Sequence, residues 1–138
     1  MGSKATDRER CVASSIIGEA LPPDRLTSKE YWNQYWSHVK LPSVASRELH
    51  DAITSAVLDI FDRFFPGTAG AKALESGGAP GQFLAYGVGE YGWEAHALDY
   101  SDVGCRMTVE NFQKLGLPVV VHNEDLFNRA YDYIKAYY

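Results

Sequence analysis

The run Leu74-Glu75-Ser76-Gly77-Gly78-Ala79-Pro80-Gly81-Gln82-Phe83-Leu84-Ala85-Tyr86 decides the fold. Residues 71–75 before it form a short, partly apolar stretch of strand length, and residues 82–90 after it suit a helix. Between them, glycine lets the chain turn sharply and lets another group approach the backbone closely. Moving outward, residues 94–98 (EAHAL) predict a second strand ending at Asp99. A helix over 103–114 should follow and stop at Leu115-Gly116. Residues 118–122 (PVVVH) then predict a third strand, ending in Asn123-Glu124-Asp125. Strand, helix, strand, helix, strand with short links implies parallel strands joined by right-handed crossovers, hence an α/β sheet with flanking helices.

Upstream of the sheet the chain reads as helical. Thr27-Ser28-Lys29-Glu30 matches a capping box, with Thr27 as the cap and a helix expected through Val39. That helix carries Tyr31, Trp32, Tyr35 and Trp36. A second helix is expected from Ser46 to Pro66-Gly67, with Leu49, Ile53, Ala56, Val57, Ile60, Phe61 and Phe64 as one apolar stripe turned to a sheet face. The organisation expected is therefore an arm over 1–26, a helical cap region over 27–66 and a sheet domain over 67–138.

Composition narrows the functional classes. Hydrophobic residues make up 46% and charged residues 22%, as in ordinary globular domains. The net charge of −5 provides no basic footprint for nucleic acid. No apolar run reaches the length of a membrane span, and the polar start MGSKATDRER lacks a signal-peptide core, so no membrane partner and a cytoplasmic location are expected. Cys11 and Cys105 make neither a disulfide framework nor a metal-ligand spacing, and no metal is assigned. His38, His50, His96 and His122 are scattered and read as surface or structural residues, with His122 nearest the sheet edge that matters.

That edge is the carboxyl end of the strands, where open parallel sheets bind ligands. The glycine run ends the first strand, and the amides of the helix that begins near Gly81 would suit an anionic group. Asp99, roughly 20 residues past the turn, is placed to accept from ribose hydroxyls. Asp125 could accept from an adenine amino group, with Leu126 against a ring face. A plain tight connection is the competing reading of the glycine run alone.

Together, LESGGAPGQFLAY (74–86), ALDYSDVG (97–104) and HNEDLF (122–127) resemble class I methyltransferases that use S-adenosylmethionine (SAM). The resemblance spans about residues 71–127, and the aromatic helix also resembles the cap preceding the core in such enzymes. It implies a Rossmann-like sheet and SAM as cofactor. It further implies that Gly77, Ala79 and Gly81 line the methionine moiety, that Glu75 supports the loop or contacts that moiety through water, as a cofactor-binding residue, and that Asp99 binds the ribose. Tyr100 would stack near adenine, Asp125 would meet its amino group and Leu126 would pack on the ring. Ser76 and Gly78 depart from the family's usual apolar residue and cysteine, departures that would loosen the loop and weaken SAM binding. The Ala79-Pro80-Gly81 turn with Phe83 also resembles RNA ribose methyltransferases, but the expected lysine is missing from 46–65.

At 138 residues the chain is short for a complete doubly wound sheet, so about three strands are expected, forming the SAM-binding half. Methyl transfer to an unidentified acceptor is the function implied, with no catalytic residue assigned. The alternatives are a degenerate SAM-binding module acting through a partner chain and, more weakly, a nicotinamide-binding oxidoreductase. With one side of the first strand unpaired, a homodimer or a complementing chain is the partner expected.

Overall fold

The computed structural model describes residues 27–48 and 51–126. Within them, α1 (Lys29–Trp36) and α2 (Ala52–Phe64) precede a β-α-β-α-β run: β1 (Lys72–Ser76), α3 (Gln82–Tyr91), β2 (Glu94–Asp99), α4 (Asp102–Leu115) and β3 (Val120–Asn123). The three strands are parallel and lie in the order β1-β2-β3. The α/β class, the parallel sheet and its flanking helices agree with the sequence expectation. The expected arm over 1–26 and the tyrosine-rich end of the chain lie outside the described residues.

Register fixes which side chains share a face. Ala73 pairs with Ala95, Glu75 with Ala97 and Asp99 with Asn123. Because strand side chains alternate, these residues lie on one side of the sheet. Leu74, His96, Leu98 and His122 lie on the other. The first side is the core side. Leu84 and Ala85 from α3, Phe112 from α4, and Ala95 and Ala97 from β2 form one buried cluster, with Trp93 beside them. Both crossover helices therefore cover the same face.

The N-terminal helices differ from expectation in three respects. The cap of α1 is Ser28, whose Oγ accepts from the Tyr31 N–H at 3.1 Å. Thr27 is not the cap, because its Oγ1 is taken by the Trp32 indole N–H at 2.6 Å. The helix ends at Trp36, short of Val39. Next, α2 begins at Ala52, capped by the Asp51 carboxylate on the Thr54 N–H, and not at Ser46. Residues 43–47 upstream of it are instead tied to partners distant in sequence: the Ala45 N–H donates to the Gln82 carbonyl and Arg47 reaches Asp59 and Asp62.

Finally, the apolar stripe is rotated. Thr54 and Leu58 are buried, and Phe61 (tilted) and Phe65 (edge-on) pack against Trp93, whereas Ile53, Ile60 and Phe64 are exposed. Leu49 of the expected stripe lies outside the described residues. The helix offers two overlapping apolar faces, and the cluster of Phe83, Tyr91 and Trp93 selects the one that carries Phe61. Among the described residues, no helix is long and apolar enough to cross a membrane.

Candidate functional site

The glycine turn lies at the carboxyl edge of β1, and two carboxylates hold it from below. Gly77 and Gly81 take left-handed conformations, with φ of 68° and 78°, which a side chain would strain. The Gly77 N–H donates to the Leu98 carbonyl at 2.8 Å, tying the turn to β2. Gly78 lies against Glu75 so closely that a Cβ there would collide with its carboxyl group. A Cβ on Gly81 would stand 3.0 Å from Phe112 and 3.8 Å from Glu75 Oε2. The Glu75 carboxyl is thus enclosed by the turn above it and by α4 beside it.

Enclosure changes its chemistry. Burial pushes the Glu75 carboxyl up to about 7, against the moderating effect of the Leu84 N–H that it accepts. Its Oε2 is buried with no hydrogen-bond partner among the described residues. Leu84 is the third residue of α3, whose N-cap is Gly81 with no side chain to donate or accept. The Glu75 carboxyl therefore does the work of an N-cap, satisfying one of the amides that a helix start leaves open. The anionic group expected at this helix start is thus supplied in part by the protein itself.

Asp99 is 6% exposed. Its Oδ1 accepts from the Ser101 N–H at 2.8 Å, and the backbone N–H groups of Ala79 and Tyr100 also donate to the carboxylate. Burial raises its pKa, and these three donors oppose the rise. By accepting from Ala79, Asp99 fastens the middle of the turn to the end of β2. A Cβ on Gly104 would stand 3.0 Å from Trp36, 3.1 Å from Ala79 and 3.2 Å from Asp99 Oδ2, so all three crowd around the start of α4.

Helix α1 closes this corner. Lys29 Nζ pairs with Asp102 at 2.9 Å, and the Asn33 side-chain oxygen accepts from the Ser101 hydroxyl at 2.7 Å and from the Val103 N–H at 3.3 Å. Ser101 is itself the cap of α4, accepting from the Gly104 N–H.

The sequence-predicted residues divide in two. Glu75, Gly77, Ala79, Gly81 and Asp99 are brought together around the turn, with Tyr100 joined to them through its backbone N–H. Asp125, half-buried, and Leu126, exposed, lie just past the end of β3 at the same edge. The Glu124 N–H donates to the Asp99 carbonyl at 3.1 Å, so the chain leaving β3 is tied to β2. Two residues that the sequence reading passed over also belong here. Asn33 bridges α1 to α4, and the fully buried Asn111 donates to the carbonyls of Ser43 (2.7 Å) and Pro80 (2.9 Å) and accepts from the Ser43 N–H (2.7 Å). An asparagine beside Phe112 and in helical step with Cys105 and Thr108 was a legible signal of a buried polar clamp.

Among the described residues, no group of three or more His, Cys, Asp or Glu side chains is arranged to hold a metal ion. No protein-family model, curated protein or solved structure matches the chain.

Proposed function

We propose that the chain binds SAM at the carboxyl edge of a Rossmann-like sheet and supplies the cofactor-binding part of a methyltransferase. The observation that carries this reading is the pair of carboxylates, Glu75 and Asp99, at the carboxyl ends of adjacent parallel strands, enclosing one glycine turn. That arrangement suits a cationic nucleoside. Gly77, Ala79 and Gly81 would line the methionine moiety, Asp99 and Tyr100 the ribose and adenine, and Asp125 with Leu126 the far side of the base. SAM would supply the electrophilic methyl group. The chain would exclude water and align the acceptor for in-line displacement. A cytoplasmic location accompanies this reading.

A second reading has its own support. Asp99 is almost wholly covered and already accepts from three backbone N–H groups, so a degenerate SAM-binding module that works through a partner also fits. β1 is hydrogen-bonded to β2 alone among the described strands, and α2 exposes Ile53, Ile60 and Phe64, which favours association with a second copy or a complementing chain.

Calorimetric titration of the full chain with SAM, S-adenosylhomocysteine and NAD tests the cofactor. Binding of the first two and not of NAD is expected, and Asp99→Asn should weaken that binding by about 1–3 kcal/mol. Absence of heat with both sulfur nucleosides would reject the proposal, as would binding of NAD alone.

A further inference from the structure

The second face of the sheet carries Lys72 and Leu74 from β1, His96 and Leu98 from β2, and Val120 and His122 from β3. Helices α3 and α4 lie on the other face. Helix α1 packs on α4, and α2 packs on the aromatic cluster around Trp93. None of the four described helices therefore covers this face.

Its central strand is nonetheless closed to solvent. Leu98 and His96 are each 3% exposed. Strand neighbours shield a side chain from the flanks and cannot cap it from above. Parallel sheets are in general covered on both faces. Lys72, His96 and His122, all on this face, also carry interactions beyond the sheet contacts already described. The cover is centred on β2, because Val120 on the edge strand β3 is still 45% exposed.

Handedness says where the cover comes from. Through α3 and α4 the chain steps from β1 to β2 to β3, and both crossovers use one face. A right-handed connection that leaves β3 and turns back toward β1 must cross the opposite face. Residues 127–138 (FNRAYDYIKAYY) follow β3 directly and have the pattern for that crossing. Phe127, Ala130, Tyr131, Ile134 and Tyr138 fall on one side at helical spacing, with Asn128, Arg129, Asp132 and Lys135 on the other. As a helix the segment is about 18 Å long at about 1.5 Å per residue. The six residues of β2 span about 20 Å at about 3.3 Å each. Tyrosine suits this surface, since its ring can lie on Leu98 while its hydroxyl meets an imidazole.

We propose that residues 127–138 dock as an amphipathic helix on the second sheet face, antiparallel to β2, with Tyr131 and Ile134 over Leu98 and His96. This docking lies on the opposite face from Glu75 and Asp99 and does not depend on the SAM reading.

Proton NMR of the full, unaltered chain with carbon-13-labelled methyl groups tests it. The Leu98 methyls should show nuclear Overhauser contacts to the Tyr131 ring and the Ile134 methyls. Contacts from Leu98 to Ile16 or Ile17 of the N-terminal stretch would overturn the proposal. So would contacts seen only between differently labelled copies in a mixed sample, or no contacts to 127–138 at all. As a second readout, Ile134→Asp should speed modification of His96 by diethyl pyrocarbonate severalfold, and Ile17→Asp should leave it unchanged. Equal rates in Ile134→Asp and the parent chain, or acceleration by Ile17→Asp instead, would overturn it. The methyl contacts are read on the parent chain, so a variant that fails to fold leaves the decision intact.

Discussion

Replacing Glu75 by glutamine keeps the shape of the side chain and removes its charge. In the folded chain burial holds this carboxyl near 7, against an ordinary value of 4.5. That gap corresponds to roughly 3 kcal/mol at about 1.36 kcal/mol per pH unit. The sign follows from proton counting. Between about pH 4.5 and 7 the folded chain retains a proton that the unfolded chain has released. Stability from this group is thus fully present below 4.5, declines as pH rises through the window and is lost above 7. Glutamine mimics the protonated acid and pays no such penalty. At pH 5 the two proteins should differ by less than about 0.5 kcal/mol, the usual size of a neutral change. At pH 8 Glu75→Gln should be the more stable by roughly 2–3 kcal/mol. Urea unfolding followed by the fluorescence of the buried Trp93 reads this difference across a pH series. Asp99, whose pKa burial also raises, contributes equally to both proteins and cancels from the comparison. A variant no more stable than the parent at pH 8, or a difference that does not change with pH, would refute the burial argument.

Three other substitutions test separate parts of the structure. Gly78→Ala should cost about 1–3 kcal/mol in urea unfolding, because its new methyl group must displace the Glu75 carboxyl. Asn111→Ala should cost about 2–4 kcal/mol by the same assay, since it strands the Ser43 N–H and the Ser43 and Pro80 carbonyls. Ile60→Asp, on the exposed face of α2, should shift light-scattering mass toward the monomer and leave unfolding nearly unchanged; a parent chain already monomeric into the high micromolar range would reject association through that face.

Much of the sheet was legible because its signals are local. The glycine turn, the short apolar runs and the Leu115-Gly116 stop lie next to the elements they bound, and the strands formed within a residue or two of expectation. The cap region was harder for an identifiable reason. Ser46 to Glu48 would suit a helix start by propensity, but Ser43 is clamped by Asn111 and Ala45 by Gln82, partners 68 and 37 positions along the chain. The apolar stripe of α2 failed differently. Periodicity correctly identified an amphipathic helix, but Ile53, Ile60 and Phe64 compete with Leu58, Phe61 and Phe65 for the core. Only the aromatic cluster around Trp93 breaks that tie.

The candidate site was legible in position and only partly in use. An ionised carboxylate has about four lone-pair positions. Asp99 spends three of its own on the Ser101, Ala79 and Tyr100 N–H groups, and Glu75 spends one on the start of α3. The acidic residues that sequence spacing marks as ligand contacts are therefore also the fasteners of the turn they stand beneath. This dual duty explains why Glu75 is buried without full compensation. Its remaining oxygen has no partner among the described residues, and its proton is held close to neutrality. A ligand donor reaching Oε2 would satisfy that oxygen and favour the ionised form, so its binding would strengthen as pH rises through about 7. A second donor at Asp99 gains less, because it must share an acceptor already committed to the backbone and crowded by Trp36 and Ala79. The energetic opening at this edge thus lies under the glycine turn, at Glu75, more than at the ribose position that motif spacing emphasises.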